Sequence, residues 1–157
     1  MLDKLLNDMI QLTSQGLHGA ECILSITADM KECIERQDVD SLNIAVDARQ
    51  EKMDQLSMIH AAYKEKEKEL LQYLSIHSLE EIDTGKYPQA AAVMDGRKKA
   101  MQIYSQAYDI EKVNRKNAEA LLNNYKDAIK GLHANKKALQ AYSGNESGQS
   151  ILINKVK

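Results

Sequence analysis

The chain has 157 residues, a formal net charge of -2, 43% hydrophobic residues and 4% aromatic ones, with seven Tyr and no Phe or Trp. That length suits one domain with a real core, and the polar balance is too high for a membrane protein. The near-neutral charge gives no pull toward phosphate backbones or anionic lipid, so neither nucleic acid nor membrane insertion is expected. One Pro and seven Gly fit long helices with few loops and argue against a sandwich or barrel.

In the first segment Leu2, Leu5, Met9, Leu12, Gly16, Ala20, Ile23, Thr27, Met30 and Ile34 recur at spacings of three and four. That is the seam of a coiled-coil helix. The opening "MLDKLLNDMIQL" mixes acids among its apolar positions, unlike a signal peptide, and no run of apolar residues is long enough to span a bilayer; a cytoplasmic protein is expected. Cys22 and Cys33 share this helix about 16 Å apart by helical rise, too far for a disulfide, so both should be free thiols. The stretch "ERQDVDSL" then offers Asp38 or Asp40 as an N-cap, and a tight turn between antiparallel helices is the simplest reading.

The second helix is expected from about Val39 to His77, with Leu42, Val46, Met53, Leu56, Ile59, Tyr63, Leu70 and Leu74 on its seam and Arg49 interrupting the stripe. Its "KEKEKE" run, Lys64 to Glu69, alternates charge as a solvated helix surface does. "HSLEEIDTGKYP" breaks the pattern, and Pro88 suits the first turn of a new helix. The third helix should run from Pro88 to about Tyr142, with Val93, Ala100, Ile103, Ala107, Ile110, Asn114, Asn117, Leu121, Tyr125, Ala128, Leu132, Asn135 and Leu139 along its seam. Asn114 and Asn117 place amides on an apolar stripe. A buried Asn there lowers stability but sets register, because a slipped pairing would strand the amide.

These lengths predict a surplus. A third helix longer than the second by about 16 residues leaves near 24 Å of helix, roughly Asp127 to Tyr142, with no neighbour. Ile129, Leu132, Leu139 and Tyr142 would then face water, which implies a partner. Three arrangements remove the surplus: a helix starting only after Asp95-Gly96, a bend near Gly131, or cover by a second copy of the chain. Residues 143–157 begin with "SGNESGQS", a flexible-linker composition, and end on Ile151, Leu152 and Ile153, which either bind a partner or cap the chain's own helix. The fold expected is all-α: a helical bundle domain over residues 1–142, built as a long antiparallel hairpin plus a third long helix, and a flexible tail over 143–157.

Catalytic patterns are missing from the sequence. It has no Gly-rich phosphate loop, G-x-S-x-G, HExxH, C-x-x-C or Glu-x-x-His. His18 and Cys22 share a helix face and could supply two metal ligands, but a structural site needs four. No enzyme, cofactor or metal is expected.

Three stretches resemble the flagellar export chaperones of the FlgN type. "IERQDVDSLNIAVDARQEKMDQL" looks like the family's hairpin, through Asp38, Leu42, Arg49, Gln50 and Leu56. "NRKNAEALL" is similar to its Asn-x-x-Asn-x-x-x-Leu-Leu pattern, occupied by Asn114, Asn117, Leu121 and Leu122. "AYSGNESGQSILINKVK" resembles its terminal Tyr, polar linker and aliphatic cluster, with Ile151 to Ile153 where the family usually carries an aromatic residue. The resemblance implies a cytoplasmic chaperone of type III secretion that holds hook-associated proteins before export and meets the export apparatus. Its client surface would comprise Leu121, Leu122, Tyr125, Ile129, Leu132, Leu139, Tyr142, Ile151, Leu152 and Ile153. Other readings are a chaperone for the filament cap protein or flagellin, and a dimeric adaptor coiled coil pairing two copies of the chain.

Overall fold

A computed structural model describes the backbone of residues 1–155 and the side-chain surroundings of residues 1–143. Three long helices follow in order, α1 (Leu2–Glu35), α2 (Val39–Leu74) and α3 (Pro88–Lys155), with a short 3-10 turn at Leu79–Glu81 between the last two. No strand occurs among the described residues, and the fold is the expected all-α one. The chain divides into two units, Met1–Arg115 and Lys116–Lys157.

In the first unit, local chemistry makes the turn between α1 and α2. Gln37 takes a left-handed backbone at φ 57°, which lets its N–H reach the Ile34 carbonyl at 3.1 Å and the Asp38 N–H reach that of Cys33 at 2.9 Å. These bonds satisfy carbonyls that the helix end would otherwise strand. Asp38 then caps α2: its carboxylate accepts from the Ser41 N–H at 3.0 Å and the Ser41 hydroxyl at 2.7 Å. Both bonds hold its carboxyl below the usual range. Of the two caps the sequence offers, Asp38 is the one used.

The main core gathers Leu5, Leu6 and Met9 of α1, Tyr63 and Leu70 of α2, and Ala90 and Val93 of α3. Leu79 and Ile82, in the connection that reads from sequence only as a break, complete it. Their spacing of three was the available signal, obscured by the acids between them. Asp83 folds the rest of the connection, accepting from the Gly85 N–H at 2.9 Å through its side chain and from the Tyr87 N–H at 2.8 Å through its carbonyl.

The expected α2 seam needs correction. Arg49 does not interrupt the α2 stripe. The half-buried and buried positions run Leu42, Ala45, Arg49, Lys52, Leu56, Ile59, Tyr63, Lys66, Glu67, Leu70, Leu71 and Leu74, while Val46 and Met53 are exposed. Arg49 keeps its slot because Glu111 of α3 stands opposite, Nη1 to Oε2 3.5 Å, and an apolar stem can lie on the seam while its charged head is paired. Helix α3 starts at Pro88 as expected, not at the alternative start after Gly96, and it continues through Gly131. Gly96 serves close packing instead, since a Cβ there would collide with the Thr13 side chain. Helix α3 also takes in residues 143–155, which composition reads as a linker.

Candidate functional site

Within the first unit, α3 is fastened at a few polar points. Arg97 Nη1 donates to Glu67 Oε1 at 3.0 Å. Further on, Asn114 is 2% exposed and its Nδ2 donates to the Thr27 carbonyl of α1 at 2.9 Å. Thr27 is itself fully buried, its hydroxyl bonded back to the Ile23 carbonyl at 2.7 Å. Asn114 is thus buried on the seam and bonded across it to α1. Arg49 Nε, Glu111 Oε2 and Asn114 Oδ1 are buried without a hydrogen-bond partner among the described residues, and a shift of α3 would add the Asn114 Nδ2 and the Thr27 carbonyl to them.

Asn117 is not on the seam. It is exposed, and Ala118 takes the next slot, so the stripe runs Asn114, Ala118, Leu121, Tyr125. The reason is phase: the step from 114 is four residues, and three carries Asn117 toward solvent. The two amides of the family-like motif therefore differ, one buried and one facing water.

The second unit is described from Lys116 onward. No side chain between Lys116 and Ser143 is buried, and only Ala118 and Leu121 are half-buried. Leu122, Tyr125, Ile129, Leu132, Leu139 and Tyr142 are all exposed, Leu132 at 69%. At 3.6 residues per turn, Ala118, Leu121, Leu122, Tyr125, Ile129, Leu132 and Leu139 fall within an arc of about 100°. Tyr142 lies beyond its edge, and Lys136 interrupts it. The arc is that of a core-facing amphipathic helix. Every large apolar residue left in water forgoes roughly 1.5–3 kcal/mol of burial. Ile151, Leu152 and Ile153 lie outside the residues whose side chains are described.

Chemistry-bearing groups elsewhere are sparse. The Cys22 Sγ and His18 Nε2 do meet, at 3.8 Å on the exposed face of α1, but no group of three or more metal-ligating side chains occurs among the described residues. Cys22 and Cys33 are free thiols. No helix among the described residues is long and apolar enough to cross a membrane. Comparison with protein-family models, with curated proteins and with solved structures finds no match to this chain.

Proposed function

We propose that the chain is a cytoplasmic chaperone of flagellar type III export, which shelters an amphipathic helix of a hook-associated protein before secretion. The observation that carries this reading is the exposed apolar row of α3, Leu122, Tyr125, Ile129, Leu132 and Leu139. An amphipathic client helix laid on it completes a small bundle, the helix-in-groove mode of recognition, and no bond-making chemistry is required. The motifs around Asn114 and Asn117, which resemble those of FlgN-type chaperones, add the choice of client. Lys136 within the row and Asn117 beside it make the surface less self-adhesive than an unbroken Leu stripe.

The test is truncation after Asn124, with a synthetic amphipathic helix from the end of a hook-associated protein as the probe. The expected result is retained helical circular dichroism from the remaining residues and loss of peptide binding by calorimetry. Global unfolding of the truncated chain, or undiminished binding, overturns the reading. The adaptor alternative makes a different demand: a dimer by light scattering that Leu132→Asp with Leu139→Asp turns into a monomer.

A further inference from the structure

One of the pockets in the first unit is lined by all three long helices. It holds about 170 Å³ between α1, α2 and the early turns of α3. Leu12, Leu56, Ile59, Ala100, Met101 and Tyr104 give it apolar walls. Gly16 lies on the α1 side, where an added Cβ would meet no atom within 4 Å. The contrast within α1 is informative: one turn along, the same addition at Gly19 would collide with Leu56. The space beside Gly16 is therefore real volume, not the packing hole of a neighbouring side chain. A larger depression of about 640 Å³ along the last turns of α2 has no unpartnered buried polar atom in its lining.

Four polar residues also line the pocket, Thr13, His60, Tyr63 and Arg97; His60 and Arg97 are exposed, whereas Thr13 and Tyr63 are 8% and 7% exposed. Their hydroxyl oxygens are buried with no hydrogen-bond partner among the described residues. Arg97 sits beside Tyr63 with its guanidinium over the ring face, 5.3 Å from the centroid, and it donates to Glu67. Its charge is near the phenol, but no well-formed hydrogen bond satisfies the Tyr63 oxygen. Buried hydroxyls of this kind are unfavourable, and a group that reaches them gains what they lack.

Size and lining together define an occupant. An apolar cavity of about 150 Å³ holds one benzene ring, so the volume here matches a single ring. Tyr104 and Met101 offer aromatic and thioether contacts, which favour a flat π-system over an alkyl chain. Thr13 and Tyr63 each both donate and accept, and a hydroxyl, which also does both, can pair with the two together. We infer that this pocket binds a single aromatic ring carrying a hydroxyl group, the chemistry of a phenol. Neither oxygen is accessible from solvent or from the pocket itself, so pairing with an occupant requires rotamer changes of the surrounding side chains. Met101 and Arg97, long and well exposed at the rim, can make them without backbone movement. The site lies wholly in the first unit and does not depend on the client surface of α3.

The experiment titrates p-cresol and toluene into the full chain, following methyl signals of Leu12, Ile59 and Met101 by NMR. Saturable shifts are expected with p-cresol, and binding of toluene should be about tenfold weaker, the loss of a buried hydrogen bond. Tyr63→Phe should bring the two probes to equal affinity. Gly16→Leu should fill the space and abolish binding of both while leaving the unfolding midpoint no lower. A phenol also occurs as a tyrosine side chain: a helical peptide with one central Tyr binding tighter than p-cresol marks a protein source, and p-cresol binding without the peptide marks a free small molecule. The inference fails if p-cresol produces no saturable shift, if toluene binds equally well to the unaltered chain, or if Gly16→Leu leaves binding intact.

Discussion

Helix α3 carries one apolar stripe through two environments. Up to Arg115 the stripe is covered: Val93, Ala107 and Asn114 are buried. From Lys116 the same spacing of three and four continues through Leu121, Tyr125, Ile129 and Leu132, and these residues are half-buried or exposed. Periodicity marks which face of a helix is apolar, but it carries no information about what covers that face. A stripe evolved for a partner and a stripe evolved for a core obey the same arithmetic, because both bury against another helix.

The sharpest way to break the comparison is to place one charge in each environment. Val93→Asp is expected to lower stability by about 3–5 kcal/mol, since an unpaired charge would sit in a filled core. Leu132→Asp should change it by no more than about 0.5 kcal/mol, as surface substitutions do. Chemical denaturation measures both, and a large loss from Leu132→Asp would mean that the row is already covered by a neighbour.

Two glycines sharpen the account of the first unit. Gly96→Ala should destabilise by about 1–3 kcal/mol, because its methyl meets the stiff β-branched Thr13 and overpacks the α1–α3 contact. Gly16→Ala should stabilise by about 0.5–1 kcal/mol, the helix-propensity gain with open space around the new Cβ. Thermal unfolding of the pair gives opposite shifts; a common sign would refute the packing contrast.

A pH dependence is also expected. Burial pushes the Tyr63 phenol up to about 12 against an ordinary 10.0, outweighing the nearby Arg97 charge that lowers it. The contribution is fully present below pH 10, where both states hold the proton. It fades as pH rises from about 10 to about 12, because the unfolded chain gives up its proton first. Burial raises Tyr104 as well, so tyrosinate absorbance should show two late-titrating groups, and Tyr63→Phe should remove one of them. Loss of stability in that window that persists in Tyr63→Phe would assign it to other groups.

Much of the fold was legible in the residues. Buried Leu5, Met9, Ala20, Ile23, Thr27, Met30 and Ile34 all lie on the predicted α1 seam, since a strongly amphipathic helix has one face to bury. Asp38 and Pro88 announced the two helix starts through capping and ring geometry. Large apolar side chains point to Val46 and Met53 for the α2 seam, where the structure places the small Ala45 and the charged Lys52. Arg49 could be assigned to the seam only with Glu111 in view, sixty-two positions along the chain. Asn117 was misplaced for a related reason: the motif repeats an amide, and only burial tells the two apart.

By itself the sequence determined three long helices, their turns, and an apolar face on each, because propensity, caps and periodicity are local properties of the chain. Tertiary structure decided which polar residues stand on the seams, where Leu79 and Ile82 go, which glycines are filled and which is open, and where along α3 burial ends. Those outcomes depend on pairs of residues far apart in sequence, such as Thr27 with Asn114, and no local pattern encodes a contact between distant segments.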